Sequence, residues 1–262
     1  MSQENASLIT TETRGHLFLI GLNRPEKLNA ANLEMLNDLA LAYGELDRNP
    51  DLRVGVVFAH GDHFTAGLDL PAVAGALQST GALPVPEGGL DPWGISTKQV
   101  SKPVVVALQG TCYTLGVELA LASDVVVAPS NTRFAQLEVA RGIMPFGGAT
   151  TRFPQAAGWS RAMRWLLTGE IFDAEEALAA RVVTEVVDGP PLEKALAIAT
   201  TIAEQAPLAV YATLASARAG RLDMNAEHAH LPQRLGGLLT TADVQRGMEA
   251  FMTKQPARFE GN

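Results

Sequence analysis

The sequence contains a single cysteine among its 262 residues, so no internal disulfide can form. Cys112 also lacks the paired Cys and His spacing that is typical of structural zinc sites. Structural disulfides persist mainly in oxidising compartments, so this scarcity favours a reducing one. We therefore expect a cytoplasmic protein with no metal site.

Positive charge is also scarce, since 20 Lys and Arg residues face 28 Asp and Glu residues, which gives a net charge of −8. A negative chain opposes non-specific attachment to nucleic acid or to an anionic membrane surface. Charged residues or proline interrupt every apolar run before it reaches the roughly 18 to 20 residues of a membrane span. We expect a small-molecule partner, and neither nucleic acid nor a membrane.

The apolar content, 47% of the residues, is sufficient for the core of one large domain. Residues 32–48 show helical spacing, with Asn29 or Asn32 as the N-cap and Pro50 beyond the end. Near-continuous apolar runs, typical of strands covered on both faces, lie at residues 16–22, 53–60, 103–109 and 124–128. This alternation predicts an α/β architecture.

The two ends of the chain differ from this pattern. Residues 1–15 are polar without the basic and apolar parts of a signal peptide, and we expect a frayed lead-in. From about residue 159 the pattern is mostly helical, with one strand-like run at 182–187 and a helix from Leu192 that Pro207 ends. In the final sixty residues the apolar positions recur at helical spacing. This pattern predicts a layer of helices whose apolar face packs on its own domain or on a neighbouring subunit.

Residues 71–97 are rich in glycine and proline, and we expect them to form a long irregular insert. Such inserts are uncommon in compact domains and are often functional. Two interpretations stay open: a mobile cover over a site, or a tolerated surface loop.

Two acidic residues and two strand-to-helix junctions could carry chemistry. Glu118 lies in an apolar segment, where a buried carboxylate must be hydrogen-bonded or used, and Glu138 follows twenty residues later. Alternatively, Glu118 could stabilise a helix dipole and Glu138 could be an exposed acid after a short strand. The junctions at Gly67-Leu68 and Leu115-Gly116 could direct the amides of two helix N-termini at one anionic oxygen, although glycine is common at such turns.

Four segments, taken together, identify a family. NRPEKLNAAN at 23–32, HFTAGLDL at 63–70, the run at 102–128 and FAQLEVARGIMPFGGAT at 134–150 resemble the crotonase superfamily, also called the enoyl-CoA hydratase/isomerase family. The resemblance extends from about residue 8 to the C-terminus. It implies a spiral of stacked ββα units with a C-terminal helical oligomerisation region. We expect a core at 1–195, a helical trimerisation region at 196–262, and a homotrimer or a dimer of trimers.

The resemblance also implies roles for individual residues. Glu118 and Glu138 align with the two catalytic glutamates of the hydratases, which activate water and supply the proton for the α-carbon. The amides of Leu68 and Leu115 align with the oxyanion hole that holds the thioester oxygen. The amide of Phe146 aligns with one that helps to hold the attacking water.

Coenzyme A is implied as part of the substrate, and no resident cofactor is expected. Residues that align with its binding site, or resemble cations that reach it, are Ala66, Asp69, Leu70, Lys27 and Lys254. Arg24 is a further candidate.

The sequence departs from the family at three of these places. Leu115 and Phe146 replace glycines that are common in the hydratases, which suggests an altered acyl pocket. Pro71 stands where many hydratases have a lysine that contributes to nucleotide binding.

The resemblance favours an enoyl-CoA hydratase, which reversibly adds water to a trans-2-enoyl-CoA. Isomerisation, retro-aldol cleavage and hydrolysis of an acyl-CoA remain alternatives on the same fold. A noncatalytic RNA-binding or scaffold protein is a further alternative, which the negative charge disfavours.

Overall fold

A computed structural model describes residues 7–262. Its strands lie at Ile9–Arg14 (β1), Leu17–Leu22 (β2), Val54–Ala59 (β3), Val104–Ala107 (β4), Thr111–Tyr113 (β5), Val125–Pro129 (β6), Arg133–Ala135 (β7), Phe172–Asp173 (β8) and Glu185–Val187 (β9). Its α-helices lie at Leu33–Arg48 (α1), Leu70–Thr80 (α2), Leu115–Ala122 (α3), Ala149–Ala157 (α4), Trp159–Thr168 (α5), Ala174–Ala179 (α6), Pro191–Ala203 (α7), Pro207–Gly220 (α8), Met224–Leu239 (α9) and Ala242–Thr253 (α10). Short 3₁₀ helices lie at Pro25–Lys27 and Glu138–Arg141.

The strands form two sheets. Six strands pair in the order β1-β2-β3-β4-β6-β9, and all neighbours are parallel except β1 and β2. The smaller sheet has the order β5-β7-β8. Parallel strands are normally covered on both faces, which explains why β2, β3, β4 and β6 were visible as apolar runs. These four predicted strands are confirmed.

Two expectations about strands are wrong. Residues 9–14 are an ordered edge strand rather than a frayed lead-in, because Thr and Ile favour extended backbone and an edge strand tolerates exposed polar side chains. Residues 1–6 of that lead-in lie outside the described residues. The run at 182–187 is a strand only from Glu185, because the amides of Val182 and Val183 bond back to Ala177 at the end of α6.

Helix α1 confirms the predicted helix and identifies its cap. The Asn32 side chain accepts a hydrogen bond from the Met35 amide at 2.9 Å. Asn29 has a different role, since its side-chain oxygen accepts from the Arg24 amide while its nitrogen donates to the carbonyls of His60 and His63. It therefore joins the loop after β2 to the loop after β3.

Helix α7 covers one face of the larger sheet through Ala195, Ala199 and Ala203, which pack against β2, β3 and β4. The expected boundary after residue 195 falls inside this helix. The division into a core and a helical region therefore stays a prediction.

Helices α8 to α10 form an outer layer that leaves large apolar side chains in solvent, including Leu222, Leu235, Phe251 and Met252. The break at Pro207 is confirmed, because α7 ends at Ala203 and α8 starts at Pro207. In the described part of the chain no single helix is long and apolar enough to cross a membrane, and only α7 and α8, bent by 107°, pass that test together.

Candidate active site

A cavity of about 320 Å³ lies among α1 and the segments that follow β3, β5 and β7. Its wall is drawn from residues 66–70, 81–96, 114–118 and 137–147, and is mostly apolar. Leu68, Leu115, Glu118, Glu138 and Phe146 all line it. The structure therefore brings together the catalytic, oxyanion and water-positioning residues that the sequence predicted.

The amides of Leu68 and Leu115 have no hydrogen-bond acceptor among the described residues. Leu115 is the first residue of α3, so its N–H has no partner within the helix. Leu68 forms a parallel β-bridge with Ala31. The Ala31 amide donates to the Gly67 carbonyl, and the Asp69 amide donates to the Ala31 carbonyl. The Leu68 N–H points away from Ala31 and has no part in these bonds. The expected helix start at Leu68 is thus wrong, because α2 begins at Leu70.

An unusual backbone conformation precedes each of these amides. Gly67 has a φ of 108°, and Thr114 has a φ of 49° with a ψ of −113°. For threonine this conformation is costly, and such strain is typical of functional sites. These dihedral angles orient the peptide groups whose N–H belongs to Leu68 and Leu115.

The two junctions contact each other directly. A Cβ atom built at Gly67 would lie 2.1 Å from Oγ1 of Thr114, so only glycine fits there. The Thr65 hydroxyl accepts from the Gly67 amide at 3.0 Å and donates to the carbonyl of Asn29 at 2.7 Å. Close contact and these hydrogen bonds hold both junctions at the same cavity.

Glu118 lies one turn into α3 and is 4% exposed. Its Oε1 accepts a hydrogen bond from the Ala149 amide at 3.0 Å. Burial raises the pKa of Glu118 to about 7, although the amides of Ala149 and Gly147 and the charge of Arg152 favour the ionised form. The structure therefore holds this carboxyl group near its protonation midpoint at neutral pH.

Glu138 begins the 3₁₀ helix after β7 and is 7% exposed, so it is not the exposed acid of the alternative interpretation. With its nitrogen facing Glu138, the buried amide of Gln136 donates to both carboxylate oxygens, at 3.0 and 3.1 Å. Burial, and then the nearby charge of Glu118, raises the pKa of Glu138 to about 7. The two acids are therefore electrostatically coupled.

This arrangement suits general acid and base chemistry on a carbonyl compound. At neutral pH one carboxyl group can be protonated while the other is ionised, as an acid and a base acting together require. The two unpaired amides can donate hydrogen bonds to a carbonyl oxygen and so stabilise negative charge that develops on it. The described residues contain no cluster of three or more His, Cys, Asp or Glu side chains that could hold a metal ion.

The loop at residues 91–97 forms one wall of the cavity, and its own carboxylate shapes it. Asp91 accepts hydrogen bonds from the amides of Trp93, Ile95 and Ser96 at 2.7 to 3.0 Å. The Trp93 indole N–H then donates to the carbonyl of Leu115 at 3.0 Å. The wall is thereby tied to the first residue of α3.

Arg152 on α4 connects this wall to the turn that binds Glu118. Its guanidinium donates to the carbonyl of Trp93 at 2.7 Å and to that of Gly147 at 3.1 Å. Sequence reasoning missed this residue, together with Gln136, Asp91 and Trp93. The contacts of Arg152 and of the Trp93 indole join segments that are distant in the chain, so no local pattern shows them. Gln136 and Asp91 bond to residues two to five positions away, but no sequence motif marked those contacts.

The segment 71–97 differs from the expected irregular insert. Its first ten residues belong to α2, in which Pro71 lies in the first turn and Gly81 forms the left-handed C-cap. Residues from Gly81 to Val85 and from Asp91 to Ser96 line the cavity. This position favours the cover over the tolerated surface loop.

The predicted CoA-binding residues divide into two groups. Ala66 and Leu70 line the cavity, whereas Asp69 lies beside them and pairs with Arg24 at 2.8 Å. Lys27 and Lys254 are exposed and lie outside the cavity lining. Their role in binding stays a prediction.

The bulky residues at two family glycine positions both face the cavity, as expected for an altered acyl pocket. Leu115 is almost fully buried in its wall, and Phe146 is partly exposed in it. The predicted role of the Phe146 amide in holding water stays a prediction, since the carboxylate of Glu118 is held by the next turn of chain, at Gly147 and Ala149.

Known proteins match this chain over almost its whole length. The family model described as enoyl-CoA hydratase/isomerase matches residues 12–262. The chain is 33% identical to (E)-benzylidenesuccinyl-CoA hydratase of Thauera aromatica, covering 97% of this chain and 99% of that protein. It is 30% identical to enoyl-CoA hydratase EchA19 of Mycobacterium tuberculosis, covering 95% of each.

A solved structure, of a probable enoyl-CoA hydratase/isomerase from Mycobacterium abscessus, matches with a TM-score of 0.94 and 47% identity. The match covers 97% of this chain and 99% of that one. These findings confirm the resemblance carried by the sequence motifs. The chain therefore belongs to the enoyl-CoA hydratase/isomerase family of the crotonase superfamily, and it is an enzyme with the crotonase fold.

Proposed function

We propose that this enzyme reversibly hydrates a trans-2-enoyl-CoA to a 3-hydroxyacyl-CoA. The observation that carries the proposal is the placing of two buried, coupled carboxyl groups, Glu118 and Glu138, in one cavity with two unpaired amides. Addition of water to a conjugated thioester needs a base, a proton donor and a site for charge on the thioester oxygen. Each requirement has a group in the cavity.

In the proposed mechanism, the amides of Leu68 and Leu115 donate to the thioester oxygen, which gains negative charge as the enolate forms. Each such donor contributes about 3 to 4 kcal/mol of transition-state stabilisation. Glu118 removes a proton from water as the water oxygen bonds to the β-carbon. Glu138 gives its proton to the α-carbon, and both roles reverse in dehydration.

Three further properties are part of the proposal. Coenzyme A enters as part of the substrate past Ala66, Asp69 and Leu70, with Lys27 and Lys254 as candidate cations for its phosphates. The exposed apolar side chains of α9 and α10 support assembly into a homotrimer or a dimer of trimers. The lone buried cysteine supports a reducing compartment such as the cytoplasm.

The test is to mix the purified enzyme with crotonyl-CoA and longer 2-enoyl-CoA esters and to follow the loss of conjugated thioester absorbance. Product analysis by mass spectrometry separates water addition, a gain of one water molecule, from isomerisation, which leaves the mass unchanged. The variants Glu118→Gln and Glu138→Gln should each be slower by about 100-fold or more. If no ester gains water, the hydratase proposal is wrong.

A further inference from the structure

Arg141 is the one cationic residue that lines the cavity among the residues that the structure describes. The other described residues of the wall are mostly apolar, with the acids Asp91, Glu118 and Glu138 and the uncharged polar residues Ser96 and Thr114. The Arg141 guanidinium is exposed and makes no hydrogen bond or ion pair with any described residue. Its five N–H donors are therefore free to bind an anion that enters the cavity.

The position of Arg141 relates it to the reacting atoms. It ends the 3₁₀ helix that Glu138 begins, and residues three apart in such a helix lie on the same side. A 3₁₀ helix rises about 2 Å per residue, so the two residues lie roughly 6 Å apart along its axis. Arg141 therefore lies within the length of a few carbon–carbon bonds of Glu138.

Arg141 does not act on the catalytic acids themselves. No ion pair joins it to Glu138, whose pKa is set by burial and by Glu118. The third carboxylate of the wall, Asp91, is occupied by three backbone amides. No carboxylate among the described residues thus pairs with Arg141, which leaves it available to an anion on the substrate.

The anion that Arg141 binds is better placed on the acyl group of the substrate than on coenzyme A. Apart from Lys254, the residues expected to bind coenzyme A lie on segments 24–31 and 66–70, beside the Leu68 amide. Arg141 lies instead on the segment of Glu138, which serves the α-carbon on the acyl side of the thioester. Arginine binds carboxylates well because its planar fork can donate two parallel hydrogen bonds.

We propose that Arg141 binds a carboxylate at the far end of the acyl group, so that the preferred substrates are CoA monothioesters of unsaturated dicarboxylic acids. This inference rests on the proposed hydratase function and names its substrate class. An uncharged acyl chain would offer the guanidinium no anion to bind.

The test compares two six-carbon substrates that differ only at the last carbon: trans-2-hexenedioyl-CoA, with a free carboxylate, and trans-2-hexenoyl-CoA, with a methyl group. For the wild-type enzyme kcat/KM should be higher with the carboxylate. In Arg141→Gln that preference should fall about tenfold, with kcat/KM for the methyl substrate nearly unchanged. Arg141→Lys should keep part of the preference. Arg164→Gln, which removes an exposed arginine on α5, is the matched control.

Binding measured separately from catalysis distinguishes the two proposals. Adipoyl-CoA and hexanoyl-CoA are saturated and cannot be hydrated, and calorimetry should show tighter binding of adipoyl-CoA that Arg141→Gln abolishes. Hydration of hexenoyl-CoA without any Arg141-dependent preference would overturn this inference and leave the hydratase proposal intact. If Arg141→Gln lowered kcat/KM equally for both substrates, the result would also overturn the inference, because it would show that Arg141 binds the coenzyme A part that both share. Arg141-dependent binding without hydration would support the inference and contradict the proposed reaction.

Discussion

Glu118 and Glu138 are the two side chains whose ionisation the fold opposes most clearly in the cavity. Both are buried, and the cost of burial is partly offset by hydrogen-bond donors: the amides of Gly147 and Ala149 for Glu118, and the neighbouring Gln136 for Glu138. A raised carboxyl pKa is useful to an enzyme because it allows the group to release and regain a proton at neutral pH. The pKa of each acid is therefore set by two opposing effects: burial raises it, and a few hydrogen bonds to the carboxylate lower it.

This balance predicts a bell-shaped pH profile. Because both pKa values are raised to about 7 and the acids are coupled, the state with one proton shared by the pair is most populated near neutrality. Hydratase kcat/KM should therefore peak near pH 7 and fall on both sides. Either glutamine variant should lose one limb of the profile. A flat profile in the wild-type enzyme from pH 5 to 9 would contradict the coupling.

Gly67→Ala should damage the oxyanion hole without unfolding the protein. The added Cβ would overlap Thr114, which orients the Leu115 amide, and the left-handed φ of Gly67 disfavours alanine as well. We expect kcat to fall about 100-fold, as for loss of an oxyanion donor. Gly15→Ala is the matched control, because Gly15 has a φ of 58° and no atom within 4 Å of the added group. Similar activity loss in both variants would show that backbone strain alone is responsible.

At the scale of elements, the site depends on loops and turns that rigid strands and helices hold in place. Helix α3 carries Glu118 and the Leu115 amide, and the 3₁₀ helix after β7 carries Glu138. The loop at 91–97 and the turn at 147–148, which leads into α4, are not themselves helix or strand. Arg152, extending from α4, joins the two.

Two variants of Arg152 should separate the effect of its positive charge from the effect of its two hydrogen bonds. Arg152→Gln removes a charge that lowers the pKa of Glu118, so the pH limb of Glu118 should move to higher pH. Arg152→Lys keeps the charge but not the forked donor, so the pH limb should stay while KM rises, by about tenfold for loss of a charged hydrogen bond. Titration of kcat/KM and KM for both variants, with Arg164→Gln as control, checks this. An unchanged pH profile in Arg152→Gln would exclude the electrostatic part of this role.

At the scale of the whole molecule, the chain buries its polar functional groups at the cavity and exposes apolar side chains on α9 and α10. Phe251 is 86% exposed, and Leu235, Met248 and Met252 are also in solvent. Apolar surface of this extent is typical of a face that another chain covers. The single chain thus encloses a cavity, but it leaves on α9 and α10 an apolar surface that a second chain could cover.

The oligomer prediction can be checked by light scattering during gel filtration. The wild-type protein should elute with a mass of three or six chains of 27.7 kDa each. Phe251→Glu should shift it toward the single chain, because a charge in an apolar interface is costly to bury. Leu167→Glu, at an exposed leucine on α5, is the control. A wild-type monomer at micromolar concentration would contradict the prediction.

Local patterns predicted the long elements well and the short ones poorly. The apolar runs of β2, β3, β4 and β6 and the capped helix α1 repeat over enough residues to be recognised. Strands β5, β7 and β8 have only two or three residues each, too few for any periodicity. They form because their backbone N–H and C=O groups pair with those of segments that only the folded chain brings alongside.

By itself the sequence determined the family, the two glutamates and the glycine at the first junction, because these depend on residue types at short, fixed spacings. Only the tertiary structure decided that Glu118 and Glu138 are buried near one another, that Gln136 and Arg152 support the site, and that Arg141 faces the cavity without a partner. The physical reason is that pKa values and unpaired donors depend on surroundings contributed by distant segments. Those surroundings exist only once the chain is folded.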